Sequence, residues 1–165
     1  MTRPAFYRAF SAHRYLLIYQ TDAYVFRDEL MLWANKGYDY IGAPWIDTPP
    51  QTKQRVWIDL NRFTLGKVGN GGFCLRKIES HIHIAQKWGW IQNLLRKNED
   101  FFWSVLAPKL NRTFKIPTAE EAISFSFELA PSKAYEMNGK QLPFGCHAWQ
   151  KYDPAFWSNF ISFEP

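Results

Sequence analysis

The feature that most constrains the fold is an unbroken apolar and aromatic run that ends in a polar turn. The run is Tyr15 to Tyr19, and Gln20, Thr21 and Asp22 follow it. Its composition predicts a buried strand at residues 15–20 rather than an amphipathic helix. Ligands of open α/β sheets bind at the carboxyl ends of strands, so Asp22 is placed to hold a metal ion and a phosphate. An Asp at such a junction also commonly bonds local backbone N–H groups, and position alone leaves both interpretations open.

Length and charge narrow the class of protein. A chain of 165 residues is enough for one domain with a real core. The net charge of +5 favours an anionic partner such as a nucleotide, a phosphosugar or nucleic acid. The basic residues are scattered along the chain, so no nucleic-acid-binding face is indicated. Aromatic residues make up 18% of the chain, which suits either ring stacking on a ligand or a core of large side chains.

Cysteine use and hydropathy predict the compartment. Cys74 and Cys146 are not in a metal-binding spacing, and we expect reduced, partly buried thiols. The N-terminal residues 1–10 carry Arg3 and Arg8 and lack the pattern of a signal peptide. No apolar stretch approaches the ~20 residues that span a bilayer. These features predict a cytoplasmic protein without a membrane span.

The first half of the chain predicts a strand–helix–strand unit. A short helix is expected from Asp28 to Gly37, where the acids match the helix dipole and the glycine ends the helix. A second strand is expected from Tyr38 to Ala43. Such a unit implies parallel strands. Residues 46–66 predict a long loop of the kind that often forms a functional lid.

The second half predicts further elements around a glycine-rich segment. Val68 to Arg76 indicates a glycine-rich turn that runs into a strand, and residues 77–97 are expected to be mainly helical, with a break possible at Gly89. Asn98 is a candidate cap for the next helix. Thr118 has capping-box spacing for a helix that continues to about residue 127. The region from residue 142 onward is expected to be irregular.

Four polar clusters are candidates for a functional site: 20–22, 70–72, 98–100 and 145–147. Each has a structural alternative, respectively a turn acid, a tight turn, a helix N-terminus and a structural histidine. The glycine cluster matches neither a dinucleotide-binding motif nor a P-loop. His81 and His83 lack partners at metal-binding spacing and are interpreted as structural.

Taken together, these segments resemble GT-A glycosyltransferases, and more closely a GT-A-like family catalogued as a domain of unknown function. The resemblance covers nearly the whole chain. It implies an α/β fold of GT-A type, with a mixed, mainly parallel sheet and flanking helices, as a single domain over residues 1–165. The segments that carry it are Phe6–Phe10, Leu17–Ala23, Gly37–Trp45, Gly69–Phe73, Asn98–Asp100 and Leu142–Trp149.

The resemblance implies a metal-assisted donor site. GT-A enzymes use an Asp-x-Asp motif at a strand end to hold a divalent metal ion on the donor's diphosphate. Here that motif is Gln20-Thr21-Asp22, so Asp22 keeps the metal-binding position and Gln20 replaces the first acid. His147 matches the late histidine that completes the metal shell. The expected cofactor is Mn²⁺ or Mg²⁺, with a nucleotide-sugar as co-substrate.

The resemblance also implies an acceptor side for a glycan or another hydroxyl compound. Asp100 is the expected general base in an inverting reaction, and Glu99 is the second choice. The floor beneath the acceptor is expected from Asn70, Gly71, Gly72 and Phe73, and Trp45 is a candidate stacking face for a sugar ring.

Two expectations follow from where the chain departs from the GT-A pattern. A complete GT-A domain places several strands before the metal-binding one, so the chain is interpreted as N-terminally truncated, with a sheet edge that a partner chain could cover. The alternative function is a degenerate, non-catalytic module that binds a glycan or a partner protein.

Overall fold

Two three-stranded sheets form the frame of the protein. The computed structural model describes residues 1–47, 64–94 and 99–162. Most of the predicted loop at 46–66, and the predicted helix cap Asn98, lie outside the described residues. No helix in the described ranges has the length and apolarity needed to cross a bilayer.

The first sheet is antiparallel and has its longest strand at the centre. Strands β1 (Tyr15–Tyr19), β3 (Tyr40–Pro44) and β4 (Val68–Lys77) lie in the order β1-β4-β3. β4 pairs antiparallel with both neighbours. The pairing of β3 with β4 is irregular after Gly42, where the register shifts toward the glycines of β4. The glycine-rich segment is therefore part of a strand rather than a turn that precedes one.

The predicted parallel pairing of the first two long strands is wrong. β1 and β3 do run in the same direction, because each is antiparallel to β4. However, β4 lies between them and takes the backbone hydrogen bonds that a parallel pair would share. The mainly parallel sheet expected from the resemblance is wrong for the same reason. The described strands form one antiparallel and one mixed sheet.

The second sheet is small and mixed. It consists of β2 (Ala23–Val25), β5 (Ser126–Phe127) and β6 (Gly145–His147), in the order β2-β6-β5. β6 is antiparallel to β2 and parallel to β5. The region after residue 142, predicted to be irregular, thus supplies the central strand of this sheet. Three residues are too few for the alternating pattern that identifies a strand in sequence.

The helices follow the predicted order but differ in length. α2 (Leu30–Asn35) precedes Gly37, whose φ of +76° confirms its role as a helix stop. α3 (Ile78–Leu94) passes through Gly89 without a break. The remaining segments are α1 (Pro4–Arg8), α4 (Glu99–Phe101), a π-helical segment (Phe102–Leu106), α5 (Ala107–Leu110), α6 (Ala119–Ala122), α7 (Pro131–Met137) and α8 (Pro154–Trp157).

The cap of α6 is confirmed, but its predicted length is not. The Thr118 hydroxyl accepts a hydrogen bond from the Glu121 backbone N–H at 3.3 Å. The helix ends at Ala122 rather than near residue 127, because Ser126 and Phe127 join the second sheet as β5.

Aromatic side chains fill the core on both sides of the first sheet. Trp103, Phe102 and Tyr7 pack with α3 on one side, and Trp33 and Phe125 pack on the other. A third cluster surrounds Trp157. Many of the aromatic side chains therefore pack in the protein interior.

His81 and the two cysteines belong to this interior. The His81 ring is fully buried, with Nδ1 at 2.9 Å from the Lys77 carbonyl, and burial lowers its pKa well below the usual value. This is the setting of a structural histidine, as predicted. Cys74 and Cys146 are both buried and unpaired.

The two sheets meet where β6 passes close to β4. A Cβ atom added to Gly145 would lie 2.5 Å from Cζ of Phe73 in β4 and 2.8 Å from the Tyr24 carbonyl oxygen in β2. A side chain at position 145 would therefore push the sheets apart. The glycine is required because β6 must approach β4 closely.

We predict that Gly145→Ala lowers the free energy of unfolding by about 1–3 kcal/mol, the usual cost of adding a methyl group to a closely packed interior. Urea denaturation measures this difference. Gly89→Ala is the matched control, because Gly89 lies inside α3 with one heavy atom, the Thr2 carbonyl oxygen at 3.3 Å, near its Cβ position. The control should match the wild type or gain up to about 1 kcal/mol. A Gly145→Ala variant as stable as wild type would contradict the close approach.

Candidate active site

The polar turn after β1 carries the chain from the first sheet into the second. The Ala23 backbone N–H donates to the Gln20 carbonyl at 2.9 Å, which closes the turn. The Gln20 backbone N–H donates to the Gly72 carbonyl at 3.0 Å, which ties the turn to β4. The Tyr19 hydroxyl donates to the Ala23 carbonyl at 2.9 Å. These bonds hold Gln20 and Asp22 at the junction of the two sheets.

His147 meets both polar side chains of this turn. It is the last residue of β6 and lies opposite Ala23 in the second sheet. Its Nε2 atom is 2.9 Å from Oε1 of Gln20 and 3.2 Å from Oδ1 of Asp22. The structure thus brings His147 into contact with two residues that precede it by more than 120 positions in the sequence.

Two adjacent glycines of β4 make room for the ionisable side chains. A Cβ atom on Gly72 would lie 2.1 Å from Nε2 of His147, and one on Gly71 would lie 2.3 Å from Oδ1 of Asp100. The glycines therefore permit the close approach of the imidazole and the carboxylate, and their role as a floor beneath an acceptor stays a prediction. The charge of Asp100 also acts on His147, so the two groups lie within electrostatic reach of each other.

The two acids of α4 have different environments. Glu99 pairs with the fully buried Arg76, with Oε1 at 2.7 Å from Nη1. Burial alone would raise the pKa of Glu99, but the Arg76 charge and hydrogen bonds lower it overall. Asp100 instead accepts a hydrogen bond from the Gly71 backbone. Of the two acids, Asp100 is the one that lies beside the glycine pair.

Asp100 has a pKa suited to proton transfer near neutral pH. Burial, together with the nearby charges of Glu99 and Glu128, raises the pKa of this carboxyl to about 6. The Arg76 charge and the Gly71 N–H act in the opposite direction. The carboxylate is thus ionised at pH 7 and remains basic enough to accept a proton.

Glu128 completes the cluster and was not predicted from the sequence. It follows β5, and the parallel pairing of Phe127 with Cys146 places Glu128 beside His147. Its Oε2 atom is 3.0 Å from Nδ1 of His147, a charge contact outside the geometry of an aligned hydrogen bond. The sequence feature that could have indicated Glu128 is its position as the one acid within the mainly apolar segment 125–129.

The acidic neighbours change the protonation of His147. Burial alone would lower the pKa of its imidazole, but the contact with Glu128 and the charges of Asp22 and Asp100 raise it overall. Burial also raises the pKa of Glu128, and His147 opposes this effect. The charges of the four groups therefore act on one another within a single site.

The other predicted site residues are buried. Phe73 is fully buried against Phe125 and Phe144, so its ring is part of the core. Asn70 is buried, and its Nδ2 atom has no hydrogen-bond partner among the described residues. Trp45 is 7% exposed. Its role as a stacking face stays a prediction.

The residues at the end of β1 fit a metal ion in part. The described residues contain no group of three or more His, Cys, Asp or Glu side chains arranged to hold one. Asp22 and His147 supply two ligands of this type, and the amide oxygen of Gln20 is a third candidate. Their separations of 2.9 and 3.2 Å match the roughly 3 Å between neighbouring ligands of an ion coordinated at about 2.1 Å. The remaining positions would belong to water or phosphate oxygens.

Asp100 predicts a specific pH dependence of stability. Because its pKa is about 6 in the folded protein and 3.8 is its usual value, the folded state binds more protons between these pH values. Stability contributed by this group is therefore lost as pH rises from about 4 to 6, by up to about 3 kcal/mol. Urea unfolding of wild type and Asp100→Asn across this range measures the difference. The exposed Asp28→Asn is the control, and parallel curves for wild type and Asp100→Asn would contradict the prediction.

Comparison with known proteins identifies the family. No curated protein and no solved structure matches the chain. The family model described as "Protein of unknown function (DUF5672)" matches residues 1–147, which include every site residue discussed above. The chain therefore belongs to the DUF5672 family.

Proposed function

We propose that this protein is a GT-A-like glycosyltransferase that transfers a sugar from a nucleotide-sugar to a hydroxyl acceptor with the help of a divalent metal ion. The observation that carries the proposal is the convergence of Gln20 Oε1, Asp22 Oδ1 and His147 Nε2 at the end of β1. Asp100 contacts Gly71 of β4, and its charge acts on His147, so we assign the role of base to this carboxylate.

The arrangement of these three atoms favours the binding of a cation. When Nε2 of His147 is unprotonated, its lone pair faces a carboxylate oxygen and an amide oxygen. Two oxygen atoms within 3.2 Å of this nitrogen are stabilised by a proton or a metal ion beside them. One imidazole, one carboxylate and neutral oxygens suit Mn²⁺, with Mg²⁺ next.

The donor would bind through these residues. Asp22 and His147 would hold the ion, and Gln20 would contribute its amide oxygen or bond the donor's ribose or sugar. A bound divalent ion would neutralise charge on the departing nucleoside diphosphate. The loss of one carboxylate relative to the Asp-x-Asp pattern predicts weaker metal binding than two acids would give.

Asp100 would act on the acceptor. It takes the proton from the acceptor hydroxyl while that oxygen forms a bond to the anomeric carbon of the sugar. The bond from the anomeric carbon to the diphosphate oxygen breaks, and its electron pair leaves with the diphosphate. Attack from the face opposite the leaving group inverts the configuration. The ion pair of Glu99 with Arg76 favours Asp100 over Glu99 as the base.

The edge of the first sheet is a candidate surface for binding a partner chain. β1 lies at one edge of that sheet among the described strands. An edge strand presents unpaired backbone groups to another chain. A partner that covers this edge remains part of the proposal.

A second candidate function is a non-catalytic module that binds a glycan or a partner protein. Gln20 favours it, because the amide leaves one carboxylate, Asp22, in direct contact with His147 Nε2. This alternative predicts that a nucleoside diphosphate does not bind in a metal-dependent manner.

The proposal predicts that the protein hydrolyses a nucleotide-sugar, or transfers its sugar, when Mn²⁺ is present. Asp22→Ala should lower this rate at least about 100-fold, because the metal and the diphosphate lose a ligand. Release of nucleoside diphosphate from a panel of nucleotide-sugars measures the rate. Glu136→Ala is the matched control, since its side chain is 65% exposed and pairs with Lys140. Full activity of Asp22→Ala would reject the metal role.

The same assay separates the base from the metal ligand. Asp100→Asn should reduce kcat by roughly 100-fold or more, the usual contribution of a general base, and should leave the KM for the donor near its wild-type value. An unchanged kcat would reject Asp100 as the base without affecting the assignment of Asp22.

A further inference from the structure

The guanidinium group of Arg76 is fully buried, and one of its nitrogens has no partner. Its Nε donates to Sγ of Cys74 at 3.1 Å, and its Nη1 donates to the Tyr7 hydroxyl and to Oε1 of Glu99, each at 2.7 Å. Its Nη2 has no hydrogen-bond partner among the described residues. An unpaired buried donor on a charged group costs free energy, so the surroundings of Nη2 are informative.

Nη2 lies beside Gly71, where it approaches the carboxylate of Asp100. A Cβ atom added to Gly71 would lie 3.4 Å from Nη2 and 2.3 Å from Oδ1 of Asp100. Two atoms this close to one point are within about 6 Å of each other, a separation at which an opposite charge favours the ionised form of a carboxyl group. Because residue 71 is a glycine, it places no side chain between the two charged groups.

Other ionisable groups among the described residues also interact with Asp100 through their charges. Burial raises the pKa of a phenol and of a thiol in this set, so both stay neutral at pH 7. Two glutamates disfavour a further negative charge, and an imidazole is positive only when it is protonated. Arg76 therefore adds the permanent positive charge of this set. The groups are the side chains of Tyr40, Cys74, Glu99, Glu128 and His147.

We propose that Arg76 is the positioning residue of Asp100: its unpartnered Nη2 group presents a buried positive charge to the carboxylate beside Gly71 and keeps that carboxylate ionised. Burial alone favours the neutral carboxylic acid, whereas only the ionised form can accept a proton from an acceptor hydroxyl. The link to proton transfer rests on the proposed function. The pairing of Arg76 with Asp100 rests on the geometry of the two side chains.

The surrounding structure holds the charge of Arg76 in a fixed place. Arg76 lies on the central strand β4, between Leu16 of β1 and Tyr40 of β3. Its guanidinium carbon is 5.4 Å from the centre of the Tyr40 ring, which is a cation–π contact. The ion pair with Glu99 holds Nη1 and leaves Nη2 beside Gly71. A charge fixed in this way needs no reorganisation when a proton is transferred nearby.

The first readout uses the wild-type protein and one isosteric variant. Nitrogen-15 NMR of the guanidinium groups follows Arg76 as the pH is varied. Because the two charges act on each other, the Arg76 signals should shift with a step at the pKa of Asp100, about 6, and Asp100→Asn should abolish this step. The control Asp28→Asn removes an exposed carboxylate and should retain it. Wild-type signals without the step, or the same step in Asp100→Asn, would overturn the proposal.

The second readout is the pH dependence of nucleotide-sugar turnover with Mn²⁺ present. In Arg76→Gln the acidic limb of the profile should move upward by at least about one pH unit, so the loss of rate is large at acidic pH and shrinks as the pH rises. Arg76→Lys keeps a positive charge and should restore part of the shift. The control Arg27→Gln removes an exposed guanidinium group and should leave the profile unchanged. A loss of rate that is equal at every pH would show a merely structural role and overturn the proposal.

The two readouts separate this inference from the proposed function. If the Arg76 signals follow the titration of Asp100 but the protein turns over no nucleotide-sugar, the proposed function fails and the pairing of the two residues stands. If Arg76→Gln does not fold, the titration of wild type against Asp100→Asn decides alone.

Discussion

The close approach of β6 to β4 is the constraint on which the site depends. Glycine at 145 lets β6 lie against Phe73, and glycines at 71 and 72 leave space for Asp100 and His147. A methyl group at any of these positions would overlap atoms less than 3 Å away. Glycine is found in β4 where Asp100 and His147 contact that strand, and in β6 where it meets the Phe73 ring. Packing of the two sheets and assembly of the polar cluster are thus consequences of the same close approach.

The cluster itself balances burial against charge. Asp100, Glu128 and His147 all lose contact with water, which disfavours their charged forms. The imidazole lies between Glu128 on one side and Asp22 on the other, so a positive charge there offsets two negative ones. Arg76 plays a similar part deeper in the protein, where it pairs with Glu99. Because Glu99 is held in this ion pair, Asp100 is the acid that lies beside the glycine pair.

The strand pairing expected from the sequence is wrong, whereas three side chains that the resemblance grouped together do lie in contact. These are Gln20, Asp22 and His147, and their role as a metal site stays a prediction. The antiparallel pairing was missed because β4 follows β3 after a long connection, and nothing local reveals that it inserts between β1 and β3. β6 was missed because three residues show no periodicity. Glu128 was missed because its importance arises from the register of β5 and β6, which no single segment encodes.

The central claim is that the end of β1 binds a diphosphate through a divalent ion held by Asp22 and His147. The most direct test is isothermal titration of the wild-type protein with the common nucleoside diphosphates, each with and without Mn²⁺. The account predicts saturable binding of at least one of them that requires Mn²⁺ and disappears when the metal is chelated. Binding of equal strength without the metal, or no binding of any nucleoside diphosphate in its presence, would contradict it.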